Sequence, residues 1–324
     1  MGKTKKYILL MLGGASIFLS GIFGGYILFS NNSVSKSDEQ NLREKEKWEY
    51  INPLLDCGEI NNLSNKDAQV LKNKVLDFIT VQKQAGAIDS AAVYFRDLNN
   101  GPWFGISERE KFYPASLLKV PLMMSVLRQS MDDPSFLGRQ VVWQGSSKNN
   151  EYFKAEHELE SGQSYAVGEA LSFMIKYSDN NAVDALVSVV DKDSLLKSYA
   201  DLGVEWPKDA SYEISVRTYS SFFRILYNST FLNKEYSEDA LHLLSDTAFS
   251  NGLVKKLPPS IKVAHKFGER EIDGSLKQFH DCGIVYFPQK PYLLCVMTRG
   301  NSFDRMADFV AETSKIIFDS FKKE

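Results

Sequence analysis

Apolar positions at 70, 71, 75, 78, 79 and 81 (Val70, Leu71, Val75, Phe78, Ile79 and Val81) follow a helical spacing and predict a helix over 63–84. Residues 91–97 then read as a strand, Asn99-Asn100-Gly101 as a hairpin turn, and 103–106 as the returning strand. Pro114 stands just ahead of the apolar run Val120-Pro121-Leu122-Met123-Met124, which predicts a buried helix starting near Ser116. From about 132 to 257 the pattern is mostly helical, with periodic runs at 167–177, 182–190 and 219–227. Strands return at 262–267, 283–287 and 292–298, the last two joined by Pro288-Gln289-Lys290-Pro291. Met306, Phe309, Val310, Ile316, Ile317 and Phe321 mark one side of a closing helix.

Two early strands, a long helical insertion, three late strands and a terminal helix make an α+β protein. The expected architecture is an antiparallel sheet flanked by helices, built from both ends of the domain, plus an inserted all-helical lobe. A cleft is expected between the lobes.

The first 62 residues have a different pattern. Residues 1–6 carry Lys3, Lys5 and Lys6, and residues 7–30 carry no charge. As a helix that run would be about 36 Å long, enough for a hydrocarbon core of ~30 Å. It predicts one transmembrane anchor, with the lysines on the cytoplasmic side and the rest of the chain outside. A cleaved signal peptide is the rival, but its apolar core is usually ~7–15 residues and no small-residue cleavage site is evident. Residues 31–62 read as a stalk or linker, whose Trp48 to Cys57 portion is apolar enough to dock on the domain at 63–324. Composition is globular, with 44% hydrophobic and 24% charged residues, and a net charge of −3 offers no basic footprint for nucleic acid.

The candidate chemistry begins at Ser116-Leu117-Leu118-Lys119. Residues three apart on a helix share a face, so a hydroxyl and an amine are held side by side. A serine becomes a nucleophile when a base takes its proton, and lysine can serve if burial or a second cation lowers its pKa. The tetrapeptide alone means little. S-x-x-K recurs at Ser33 to Lys36, and the same four letters recur at Ser194 to Lys197, where Asp191 reads as the cap of an ordinary helix. Two later stretches distinguish the first copy: Ser178-Asp179-Asn180, 62 residues after Ser116, and Lys266-Phe267-Gly268, 88 residues after Ser178. Singly, the former reads as a loop and helix cap and the latter as an edge strand.

S-x-x-K, then S-D-N, then K-x-G, in that order, is the motif set of penicillin-recognising serine enzymes. From about Leu63 onward the chain resembles the class A β-lactamase and low-molecular-weight penicillin-binding-protein superfamily. The resemblance implies catalytic roles for four residues. Ser116 is the nucleophile, Lys119 its base, and Ser178 the proton relay to the leaving nitrogen. Lys266 holds the potential positive. Asn180 would bind a substrate amide, Gly268 would let the substrate backbone lie close, and the backbone N–H groups of Ser116 and Glu269 would form an oxyanion hole. The substrate would be a β-lactam or a cell-wall peptide, with no cofactor.

Two departures from that pattern are visible. The span 201–216 is short and lacks E-x-x-x-N; neither Glu205 nor Glu213 has Asn four positions on. The acyl-enzyme would then hydrolyse slowly or use another base, as in a D,D-peptidase. Phe267 replaces a hydroxyl residue, and Glu269 beside it would repel a substrate carboxylate unless it points away; a catalytically silent wall-peptide binder is the third reading. His157, His242, His265 and His280 are scattered without metal-ligand spacing. Cys57, Cys282 and Cys295 allow at most one disulfide, and Cys282 and Cys295 are expected on adjacent strands but on opposite faces, as small buried apolar side chains.

Overall fold

The computed structural model describes residues 48–53, 63–99, 101–149 and 151–322. The predicted anchor at 7–30, Ser33, Lys36 and Cys57 lie outside the described residues. Among the described residues no helix is long and apolar enough to cross a membrane. Contacts within the chain divide it after Trp48, and all the strands and helices of the domain belong to the unit from Glu49 onward.

Five antiparallel strands form the main sheet. They are β1 (Ser90–Asp97), β2 (Trp103–Ile106), β7 (Val263–Glu271), β8 (Lys277–Val285) and β9 (Tyr292–Gly300), in spatial order β2-β1-β9-β8-β7. The expected sheet built from both ends of the domain is present, with β1 pairing directly to β9. Four short strands lie outside it: β3 (Lys111–Phe112) pairs with β6 (Ile214–Ser215), and β4 (Gln140–Val142) with β5 (Ser164–Ala166).

The helices sort into two groups. Helix α1 (Asn65–Gln84) and helix α8 (Phe303–Phe321) pack together on the sheet. Their buried residues join Val93, Phe95, Val296 and Phe279 in one core. The inserted lobe contains α2 (Lys119–Asp132), α3 (Val167–Lys176), α4 (Asn180–Val189), α5 (Lys192–Asp201), α6 (Val216–Tyr227) and α7 (Lys234–Ser245). Helix α6 meets β1, β8 and β9, so it ties the lobe to the sheet. The apolar stretch after Trp48 docks as expected at 49–51: Tyr50 and Ile51 are buried, and the Glu238 carboxylate accepts N–H bonds from Glu49, Tyr50 and Ile51.

Several expectations need correction. The first helix starts at Asn65, with Ser64 accepting from Asp67 N as its N-cap. Val70 and Val81 are exposed; Ala68, Leu71, Val75 and Ile79 make its buried stripe. The Lys266 strand does not end at its motif but runs on to Glu271. Cys282 and Cys295 are direct register partners on β8 and β9, so their side chains share one face and form a disulfide with a Cα–Cα distance of 4.0 Å. The turn 286–291 sets that register, and sequence spacing alone left it open.

Candidate active site

The site forms where the open edge of β7 meets the inserted lobe. Ser116 occupies a 3-10 turn, Ala115–Leu118, that leads into α2. The turn is entered through Ala115, whose φ is +49°, a left-handed conformation that costs a non-glycine residue of order 1 kcal/mol or more. The surroundings hold it there. Gln278 Oε1 accepts from Tyr113 N at 3.0 Å, His280 Nε2 bonds Tyr113 O at 3.0 Å, and the Tyr219 hydroxyl donates to Leu117 O at 3.0 Å.

Gly268 has a packing role besides the one expected of it. A Cβ there would lie 2.8 Å from Pro114 O and 3.0 Å from Leu117 N. Its missing side chain therefore lets β7 press against the Ser116 turn, whatever it also allows a substrate. Glycine is used here for close backbone approach.

Four polar side chains converge. Lys119 Nζ donates to Ser116 Oγ at 2.9 Å and to Ser178 Oγ at 3.1 Å, and it also bonds Ser178 O. Lys266 Nζ donates to the same Ser178 Oγ at 2.9 Å and to Phe267 O at 3.0 Å. The chain Ser116–Lys119–Ser178–Lys266 is thus continuous, and both lysines are buried. Ser178 is itself left-handed, with φ +59°. Its neighbour Asp179 caps α4, accepting from Asn181 N, and also takes N–H groups from Leu159 and Asn149.

Burial dominates the electrostatics. Desolvation lowers the Lys119 pKa from 10.5 to about 8, against the opposing pull of Glu151 and Asp179. Desolvation first, and then the Lys119 charge, pushes the Lys266 ammonium well below the usual lysine range. A buried amine that is neutral for part of the time can accept a proton from the hydroxyl it touches. The Phe267 carbonyl faces Lys266 Nζ on the unpaired edge of β7, and alternation along a strand turns the Glu269 N–H toward that same edge.

The Phe267 ring carries no hydroxyl into this network but packs under it, with Lys266 Nζ 4.3 Å from its centroid. It stacks on Phe249 at 3.7 Å between centroids, next to Phe153 and Phe279, and belongs to the core. The Glu269 carboxyl accepts from Phe153 N at 3.0 Å. Its burial, reinforced by Glu151, raises its pKa to about 7, so the repulsive charge expected beside Lys266 is partly titrated away at neutral pH. Among the described residues no three His, Cys, Asp or Glu side chains gather in a way that could hold a metal ion.

A model of the Beta-lactamase enzyme family matches residues 71–321. The chain belongs to the β-lactamase enzyme family. By that membership it is a serine hydrolase, and its fold is the α+β fold of the class A enzymes and related penicillin-binding proteins. Similar solved structures include a mutant of PBP-A caught as an acyl-enzyme with penicillin G, at TM-score 0.66 and 18% identity over 79% of this chain and 97% of that one. A β-lactamase from Chitinophaga pinensis matches at TM-score 0.65 and 20% identity, covering 78% and 99%. The TLA-3 extended-spectrum β-lactamase matches at TM-score 0.65 and 17% identity, also covering 78% and 99%. No curated protein sequence matches the chain.

In this β-lactamase-family chain, Ser116, Asn180 and Glu269 line a cavity of ≈ 560 Å³ together with residues that carried no sequence signal: Glu151, Tyr152, Arg270, Glu271 and Phe303. Glu151 and Tyr152 belong to a segment that crosses the cleft. On the lobe side, Asn149 Oδ1 accepts from Asn180 N at 2.8 Å, Asn181 Oδ1 accepts from Lys148 N at 3.0 Å, and Asn180 Nδ2 donates to Glu151 Oε1. On the sheet side, Phe153 N reaches Glu269 and the Tyr152 hydroxyl donates to Asp304 at 2.6 Å. The segment has neither periodicity nor a motif, so sequence offered no handle on it. Glu205 and Glu213, the two glutamates of the 201–216 span, are exposed and take no part in lining the cavity.

Proposed function

We propose that this protein is a membrane-anchored, extracytoplasmic serine hydrolase that opens β-lactams or related cell-wall amides through a covalent ester on Ser116. The observation that carries the reading is the unbroken set of contacts from Ser116 Oγ through Lys119 Nζ and Ser178 Oγ to Lys266 Nζ. Ser116 Oγ attacks the amide carbon, and the neutral Lys119 amine takes its proton. Ser178 passes a proton to the departing nitrogen as the C–N bond breaks. Lys266, buried and bonded to Ser178 Oγ and Phe267 O, holds the relay hydroxyl in place. The N–H groups of Ser116 and Glu269 take the oxyanion, a contribution of ~2.7–4 kcal/mol per donor. Asn180 lines the same cavity and binds a substrate amide there. Penicillin G, found as an acyl-enzyme on the PBP-A mutant, is the natural first probe.

The location is supported by two features. The uncharged run at 7–30 is long enough to span a bilayer behind a lysine-bearing start. The Cys282–Cys295 disulfide belongs to oxidising compartments.

Intact-mass measurement of the protein with penicillin G tests the reading. Wild type gains the mass of one penicillin, and Ser116→Ala gains none. A wild type that neither forms an adduct nor consumes penicillin points to the silent binder.

A further inference from the structure

An ester on Ser116 is released only when a base activates water, and the exposed Glu205 and Glu213 do not line the cavity. Three other carboxylates do: Glu151, Glu269 and Glu271. Glu271 is held 3.4 Å from Lys277, half-exposed at the far end of β7. Glu269 is turned into the protein. One of its oxygens takes Phe153 N–H, and the other is buried with no partner among the described residues. Glu151 remains. Its Oε1 is held by Asn180 Nδ2, the side chain that follows Ser178-Asp179 in the cleft wall. Its charge acts on Lys119, Lys266 and Glu269 alike, and it lines the same cavity as Ser116.

We propose that Glu151, delivered by the segment that crosses the cleft, is the general base that releases the acyl group. The inference rests on the proposed Ser116 ester. Glu151 takes a proton from a water whose oxygen attacks the ester carbon. The new C–O bond forms, the bond from that carbon to Ser116 Oγ breaks, and Oγ recovers a proton through the Lys119 amine as Glu151 gives its own back. Ester and water become free acid and free serine, with no other reactant. Asn180 fixes the carboxylate by a neutral hydrogen bond, and Lys148 O, which accepts from the same Nδ2 at 3.2 Å, fixes Asn180. The carboxylate thus enters from residue 151, on the N-terminal side of Ser178-Asp179-Asn180, whereas the sequence directs attention to the span after it.

Single-turnover kinetics with penicillin G on the full protein and on Glu151→Gln tests this. Gln keeps the volume and the acceptor for Asn180 but cannot take a proton. Acylation of the variant should still go to completion, which reports an intact nucleophile. Its pH midpoint should move down, because the charge that raises the Lys119 pKa is gone. Deacylation should fall by on the order of 10²-fold or more. Deacylation of Glu151→Gln at the wild-type rate overturns the proposal, and so does a wild-type adduct that persists for hours. Absence of both a wild-type adduct and penicillin turnover is a separate result: it removes the Ser116 reading, and this inference goes with it.

Discussion

The letters Ser-Leu-Leu-Lys occur twice, at 116–119 and 194–197, and the two copies have different fates. The second lies inside α5. Asp191 caps that helix by accepting from Ser194 N at 2.8 Å, Ser194 is exposed, and Lys197 stands in solvent, paired with Asp201 at 2.5 Å one turn on. The first follows a left-handed alanine, runs through a 3-10 turn and buries its lysine against two serines. The spacing of the pair is identical. What differs is desolvation, which converts an ordinary ammonium into a usable base.

The strongest test of this contrast is removal of the hydroxyls. Ser116→Ala should lower penicillin acylation by on the order of 10⁴-fold or more, while Ser194→Ala leaves it unchanged. A stopped-flow or mass assay reads both. Next is the amine: Lys119→Met should cost on the order of 10²–10⁴-fold in acylation. An equal loss in Lys197→Met would erase the distinction between the copies.

Glu269→Gln probes the desolvated side of the comparison through stability. The carboxyl's pKa rises from 4.5 to about 7 on folding, so the folded state holds this proton more tightly. Its contribution is fully present below pH about 4.5 and is lost as pH rises through about 7. The Gln variant should match wild type near pH 4.5 and exceed it by about 2 kcal/mol above pH 8, after discounting for partial exposure. Urea unfolding at both pH values measures it, and a variant less stable at the higher pH would contradict the assignment. The smallest effect belongs to the exposed copy. Lys197→Ala removes one i,i+4 ion pair and should change stability by only ~0.3–0.5 kcal/mol, less in high salt.

Much of this contrast was legible in the sequence. The order of Ser116, Ser178 and Lys266 pointed to one cleft because three short motifs rarely align by accident, and the strands and helices around them followed their periodicity. Glu151 was not legible. It sits in the crossing segment, whose position is set by side-chain bonds to Asn181 and Asn180 that no pattern encodes. The Cys282–Cys295 bridge depended on a hairpin register that the turn at 286–291 decides. Gly268 invited a substrate explanation, and the neighbour it admits is the protein's own Pro114 carbonyl. Val70 and Val81 misled: they are apolar letters at helical spacing that face water, because the buried stripe runs through Ala68, Leu71, Val75 and Ile79.

The central claim is that burial makes Lys119 the base for Ser116, and the pH dependence of the acylation rate tests it most directly. With the Lys119 pKa lowered to about 8, the rate constant should climb about tenfold per pH unit below that value and level off above it. A rate that is flat between pH about 6 and 9, or that climbs only near the ordinary lysine pKa of ~10.4, would contradict it.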